Sequence, residues 1–176
     1  ELRLGENQAL EIRTSRLATA ICKNGKFNCL VNKEGWWTSG DRAKIIHEKK
    51  DQRISILGRI DTAINSGGET VFPEHLQNKL LDIAIKSNLP TELILFTSIV
   101  DKEWGERLVA LVRIKEQYKI KNLSTIFLQL KDLIKEWPPA EKPIDWYHCD
   151  KLSPNSLGKW ELKKWKLWIK SQTPII

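Results

Sequence analysis

The sequence predicts an α+β fold, and three observations carry that expectation. Short alternating strands divided by glycine turns fill the first third of the chain. Two longer apolar runs further on read as buried, paired strands. Amphipathic helical stretches are interspersed without the strict strand–helix alternation of a parallel sheet. With 176 residues, 41% of them hydrophobic, the chain can bury a core of ordinary size, which excludes a disordered tail.

The first strand expected is Leu10-Glu11-Ile12-Arg13-Thr14, followed by Phe27-Asn28-Cys29-Leu30-Val31, Ala43-Lys44-Ile45-Ile46-His47 and Arg53-Ile54-Ser55-Ile56-Leu57. Alternation and β-branched residues support each one, with turns at Asn24-Gly25, Glu34-Gly35 and Ser39-Gly40-Asp41. After Ser66-Gly67-Gly68 the period changes. Pro73 and Glu74 open a helix in which Leu76, Leu80, Leu81 and Ala84 recur at three and four, ending near Asn88-Leu89-Pro90. The apolar runs 93–100 and 108–114 then flank the polar turn Asp101-Lys102-Glu103-Trp104-Gly105-Glu106. A second helix is expected over 124–137 with Ile126, Phe127, Leu130, Leu133 and Ile134 inward, halted by Pro138-Pro139. A last strand over 144–149, the loop 153–158 and a lysine-rich helix with Leu162, Trp165 and Ile169 on one face complete the chain.

Several function classes fall away on composition. No apolar run approaches bilayer length and the first residues lack the order of a signal peptide, so a soluble, cytoplasmic protein without membrane insertion is expected. The chain starts at Glu1 and contains no methionine, which predicts that it begins inside a longer polypeptide. Cys22, Cys29 and Cys149 form an odd set without metal-ligand spacing, so neither a disulfide framework nor a metal site is expected. His47, His75 and His148 are scattered, with no nucleophile at triad spacing. The formal net charge of +7 favours an anionic partner: nucleic acid, membrane or a phosphorylated cofactor.

The segment Gly35-Trp36-Trp37-Thr38-Ser39-Gly40-Asp41 resembles a signature of the adenylate-forming superfamily, which includes acyl-CoA synthetases, peptide-synthetase adenylation domains and luciferase. It is followed, in the family's order, by Leu57-Gly58-Arg59-Ile60-Asp61, the block from Ile64 to Pro73, the turn from Val100 to Glu106, and Asn155-Ser156-Leu157-Gly158-Lys159. Together these cover most of the chain. The resemblance implies that residues 1–60 are the β-rich end of a large adenylating domain and that 61–176 are a small, mobile α+β lid domain. It also implies that the family's phosphate-gripping loop, rich in Ser, Thr and Gly, belongs to an amino-terminal domain outside this sequence. The wording of the central block, with Trp160 and Lys163-Lys164-Trp165, narrows the resemblance to the acid–CoA ligases.

The same resemblance assigns roles. Asp41 is expected to hold the ribose hydroxyls of ATP or AMP, since a carboxylate accepts two bonds side by side; taken alone it reads as a turn aspartate. Arg59 is expected at ribose and phosphate oxygens, its fork suiting both; taken alone it is an exposed strand-end charge. Asp61 matches the hinge about which the lid swings, or an ordinary loop aspartate. Gly68 is expected to line the CoA tunnel, and Trp104 to form a wall of it; a tight turn and a core tryptophan are the plainer readings. Lys159 is the expected catalytic residue, spanning the acid's carboxylate and the ATP α-phosphate where charge develops. A surface lysine is its alternative, and Lys163 or Lys164 are substitutes, because Pro154-Asn155 departs from the usual Pro-Arg-Thr wording. The implied cofactors are ATP, CoA and Mg2+, the last with ligands mostly in the other domain. The implied partners are a small carboxylic acid and that amino-terminal domain, with room for a homo-oligomer. A basic nucleic-acid-binding module is the competing reading, resting on tryptophans interleaved with lysines from 159 to 170.

Overall fold

The structure, a computed structural model, describes residues 1–48, 51–118 and 123–176. The chain divides into two compact units, Glu1–Thr62 and Ala63–Ile176.

In the first unit, strands β1 (Leu2–Leu4), β2 (Ala9–Ile12), β5 (Trp37–Glu48) and β6 (Asp51–Arg59) form an antiparallel sheet in the order β1-β2-β5-β6. A separate two-stranded ribbon joins β3 (Ala20–Lys23) to β4 (Lys26–Cys29), with every residue of both strands exposed. The strands β1 and β3 are absent from the sequence reading because three- and four-residue stretches carry too little pattern to be seen.

One expectation is corrected here. The Ser39-Gly40-Asp41 segment is not a turn between strands but lies within β5. Ala9 faces Arg42 and Glu11 faces Thr38, so two steps along β2 span four along β5. The surplus is absorbed as a bulge, where Gly40 takes φ +79°, a conformation glycine adopts without a Cβ penalty. A second register shift follows between Arg42 and Ala43, opposite the buried Gly58 and the exposed Ile56.

The second unit is built on one mixed sheet. Strand β10 (Gly105–Ile114) pairs antiparallel with β9 (Thr91–Asp101) along its length. Its other edge takes β11 (Asp145–His148) in parallel and touches β7 (Ile64–Ser66), which is itself paired with β8 (Glu69–Val71). The apolar runs are continuous because both faces of the sheet are covered. Ile94, Phe96, Leu108, Ala110, Val112 and Ile114 pack with helices α1 (Pro73–Lys86) and α2 (Leu123–Leu133). Leu95, Val109 and Leu111 pack with helix α3 (Leu162–Ile169) on the opposite side. On the first face Trp146 meets Phe96 and Phe127 edge-on, with centroids 6.5 and 6.3 Å away.

Helix α1 begins with Pro73 in its first turn and buries Leu76, Leu80 and Ala84, as its spacing predicts. Helix α2 stops at Leu133, short of the expected Trp137. Residues 134–137 run on as turns in which the amides of Ile134, Lys135 and Trp137 reach back three residues, and Ile134 and Trp137 still enter the core. The residue before a proline avoids the helical region, so Pro138 unwinds the last turn.

Candidate functional site

The first cluster grows from the bulge of β5. Asp41 and Arg59 are cross-strand partners, so their side chains share one face of the sheet. The Asp41 amide donates to Ser39 Oγ at 3.1 Å, and its carboxylate has no partner among the described residues. The Arg59 guanidinium lies over Gly40: a Cβ added there would sit 3.5 Å from Nη2. The same guanidinium donates from Nε and Nη2 to the two oxygens of Asp61, both at 3.0 Å. That bidentate pair holds the Asp61 carboxyl below its usual range, the hydrogen bond from Arg59 being the main cause. Three residues singled out from sequence are therefore brought together: an uncommitted carboxylate, a guanidinium beside it, and a second carboxylate gripping that guanidinium.

The second cluster lies at the turn between β9 and β10. Asp101 Oδ1 accepts from the amides of Glu103 at 2.9 Å and Trp104 at 2.8 Å, and these bonds hold the Asp101 carboxyl low. The Trp104 ring is half-buried, with Arg107 over it at 4.6 Å and Gly67 beneath it. A Cβ on Gly67 would lie 2.6 Å from Trp104 Cε3, and the Gly67 amide donates to the Trp104 carbonyl at 3.0 Å. Gly68 takes φ +85° with nothing within 4 Å of its missing side chain, so its backbone faces open space. Of the two glycines, Gly67 is the one that Trp104 requires. Sequence reading had singled out Gly68, and only the close approach of the ring could have revealed its neighbour.

Lys159 stands apart on the loop before α3. It is exposed, and its ammonium makes no hydrogen bond or ion pair among the described residues. The substitutes are placed differently. Lys164 sits over the Trp165 ring at 4.7 Å and 3.9 Å from Glu161, while Lys163 is exposed on α3. Lys166 donates to the buried Ser98 at 2.8 Å and lies 3.7 Å from Glu106, tying α3 to the β9–β10 hairpin. The tryptophans of this stretch turn inward: Trp165 is buried, and Trp160 and Trp168 pack against the same core. A stacking platform for bases would need those rings outside.

Asn155 is the functional candidate that sequence reading passed over. Its Oδ1 accepts from the amides of Leu157 at 3.0 Å and Lys159 at 2.9 Å. Its own amide donates to the Lys159 carbonyl at 2.9 Å, and its carbonyl accepts from Gly158 at 2.9 Å. The residue that broke the expected wording is the one that closes the lysine's loop.

Among the described residues, no three of His, Cys, Asp and Glu gather as metal ligands, and no helix is long and apolar enough to cross a membrane.

A sheet with two helices on one face and a short basic helix on the other is a fold shared with solved CoA synthetases that form acyl-adenylates. In sequence the chain is similar to proteins named 2-succinylbenzoate–CoA ligase. It is 32% identical to the Salmonella typhimurium enzyme of that name over 124 residues, 70% of this chain and 25% of the relative. It is 30% identical to the Escherichia coli one over 106 residues, 60% of this chain and 22% of the relative. In fold it matches the o-succinylbenzoate CoA synthetase of Bacillus subtilis, solved with its acyl-adenylate intermediate, at a TM-score of 0.74 and 18% identity, covering 99% of this chain and 34% of that one. The Escherichia coli structure with a phenylether-linked analogue of OSB-AMS matches at 0.68 and 24%, over 98% and 34%. The chain thus spans about a quarter of the length of these curated relatives. No protein-family model matches it.

Proposed function

We propose that this chain supplies the lid, the hinge and one wall of the nucleotide pocket of an ATP-dependent acid–CoA ligase. Under this reading residues 1–60 end a large adenylating domain, and 61–176 are the part that swings. A carboxylate oxygen of the acid attacks the α-phosphorus of ATP, pyrophosphate leaves, and the acyl-adenylate forms. The CoA thiolate then attacks the acyl carbon and AMP departs.

The observation that carries the proposal is Lys159, an uncommitted ammonium on a closed loop of a chain related to CoA ligases. Negative charge builds on the phosphoryl oxygens as the carboxylate attacks, and a cation placed there acts in the transition state rather than the ground state. Asp41 would take the ribose hydroxyls. Arg59 would take ribose and phosphate oxygens, releasing part of its grip on Asp61 to do so. Gly68 and Trp104 would border the thin pantetheine arm in the second pose. Magnesium would enter with ATP, on ligands outside this chain. The substrate we propose is o-succinylbenzoate, in the synthesis of menaquinone or phylloquinone, and the compartment is the cytoplasm.

Pyrophosphate release by the full-length polypeptide, with ATP and a panel of acids, tests this. Selective release with o-succinylbenzoate is expected. Release with another acid would keep the ligase and replace the substrate, and no release with any acid would overturn the proposal. Lys159→Ala should slow adenylate formation by roughly two to three powers of ten. It should leave thioester formation from a supplied acyl-adenylate intact.

A further inference from the structure

We infer that Asn155 is a positioning residue for Lys159, fixing the loop in the shape from which the ammonium acts. The inference rests on the reading of Lys159 as the adenylation lysine and adds a residue to it.

The geometry is local and complete. Four hydrogen bonds join Asn155 to Leu157, Gly158 and Lys159: two from backbone amides to Oδ1, and two between backbone groups. Both groups facing the side-chain atom are N–H donors, so that atom is the amide oxygen and not its nitrogen. One oxygen with two lone pairs thereby holds the amides of residues two and four positions ahead. Gly158, at φ +73° with nothing near its missing side chain, lets the chain turn back so that Lys159 returns to Asn155. Residues 156–159 are exposed, Leu157 at the bend by 78%, so no surrounding core holds that part of the loop. The Asn155 side chain supplies the side-chain hydrogen bonds that close it.

A lysine side chain has many rotamers, and holding its backbone root still removes part of the search that would otherwise slow the reaction. Asparagine and aspartate meet the requirement, since each offers one oxygen at this reach. Alanine offers none. Glutamine carries its oxygen one carbon too far to accept from both amides.

The test uses the full-length polypeptide and measures the half-reactions separately: pyrophosphate release with acid and ATP, and thioester formation from supplied acyl-adenylate and CoA. Asn155→Ala and Asn155→Gln are expected to lower kcat for adenylation by about 10- to 100-fold and to leave thioester formation unchanged. Asn155→Asp should restore most of the rate. In a Lys159→Ala background, Asn155→Ala should add nothing, because the two residues act as one unit. Should Asn155→Ala fail to fold, the glutamine variant gives the same reading. The inference is overturned if Asn155→Asp is no better than Asn155→Ala, if both half-reactions slow alike, or if the two losses multiply in the double variant. A Lys159→Ala enzyme of normal adenylation rate would instead remove the lysine's proposed role. A slow Lys159→Ala beside a normal Asn155→Ala would remove only the positioning.

Discussion

Arg59 spends two of its donors on Asp61, and that choice has a measurable signature. The carboxyl of Asp61 should titrate below the ordinary aspartate value of about 3.9, and Arg59→Ala should return it to that value, as carboxyl NMR shifts followed against pH will record. The folded carboxyl loses its proton at lower pH than the unfolded one. Whatever stability the pair contributes is therefore present above about pH 4 and lost as the pH falls through the lower folded value. Both side chains are well exposed, which keeps that contribution small. Gly67 and Gly68 separate two effects that sequence alone merges. Gly68→Ala meets only the backbone penalty of a positive φ, roughly 1 kcal/mol. Gly67→Ala adds a collision with the Trp104 ring, held under Arg107, and should cost about 2–3 kcal/mol in urea unfolding. The residue types of these sites were legible in the sequence, through their resemblance to a family. Their partnerships were not: Arg59 with Asp61, Gly67 with Trp104 and Asn155 with Lys159 are set by backbone turns that no periodicity reports.

Helix α3 is held chiefly by one side chain per turn. Trp165 and Ile169 are buried against the odd-numbered face of β9 and β10, while Lys163, Lys164 and Leu167 point away. Trp165→Ala should cost roughly 3–5 kcal/mol in chemical denaturation, whereas Lys163→Ala should change it by no more than about 0.5. Periodicity revealed this helix and α1 because each buries a single face, and it revealed β9 and β10 because both of their faces are buried. It failed where pairing partners lie far away in the chain or an element is very short. The expected turn at Ser39-Gly40-Asp41 was wrong because a glycine at positive φ marks a bulge as readily as a turn; the partner strand decides, and β2 lies some thirty residues earlier. The parallel pairing of β11 with β10 is equally silent in sequence.

The two units differ in what they enclose. Among the described residues, the buried apolar side chains of Glu1–Thr62 are Ala9, Leu10, Trp36 and Ala43, whereas both larger clusters belong to Ala63–Ile176. Trp36 is covered largely by Arg3 and Arg13, whose guanidinium carbons lie 4.1 and 4.5 Å from its ring. A polypeptide of residues 63–176 should therefore melt cooperatively by circular dichroism, and one of residues 1–62 should not. The placement of the three thiols turns this difference into a clock. Cys22 and Cys29 lie exposed on the β3–β4 ribbon, whereas Cys149 is buried and its thiol is pushed up by that burial. A thiol reagent will tag the first two at once, and the third will wait for the second unit to open. The mass of the tagged chain, sampled over time, then counts openings of one unit without any probe being added to it.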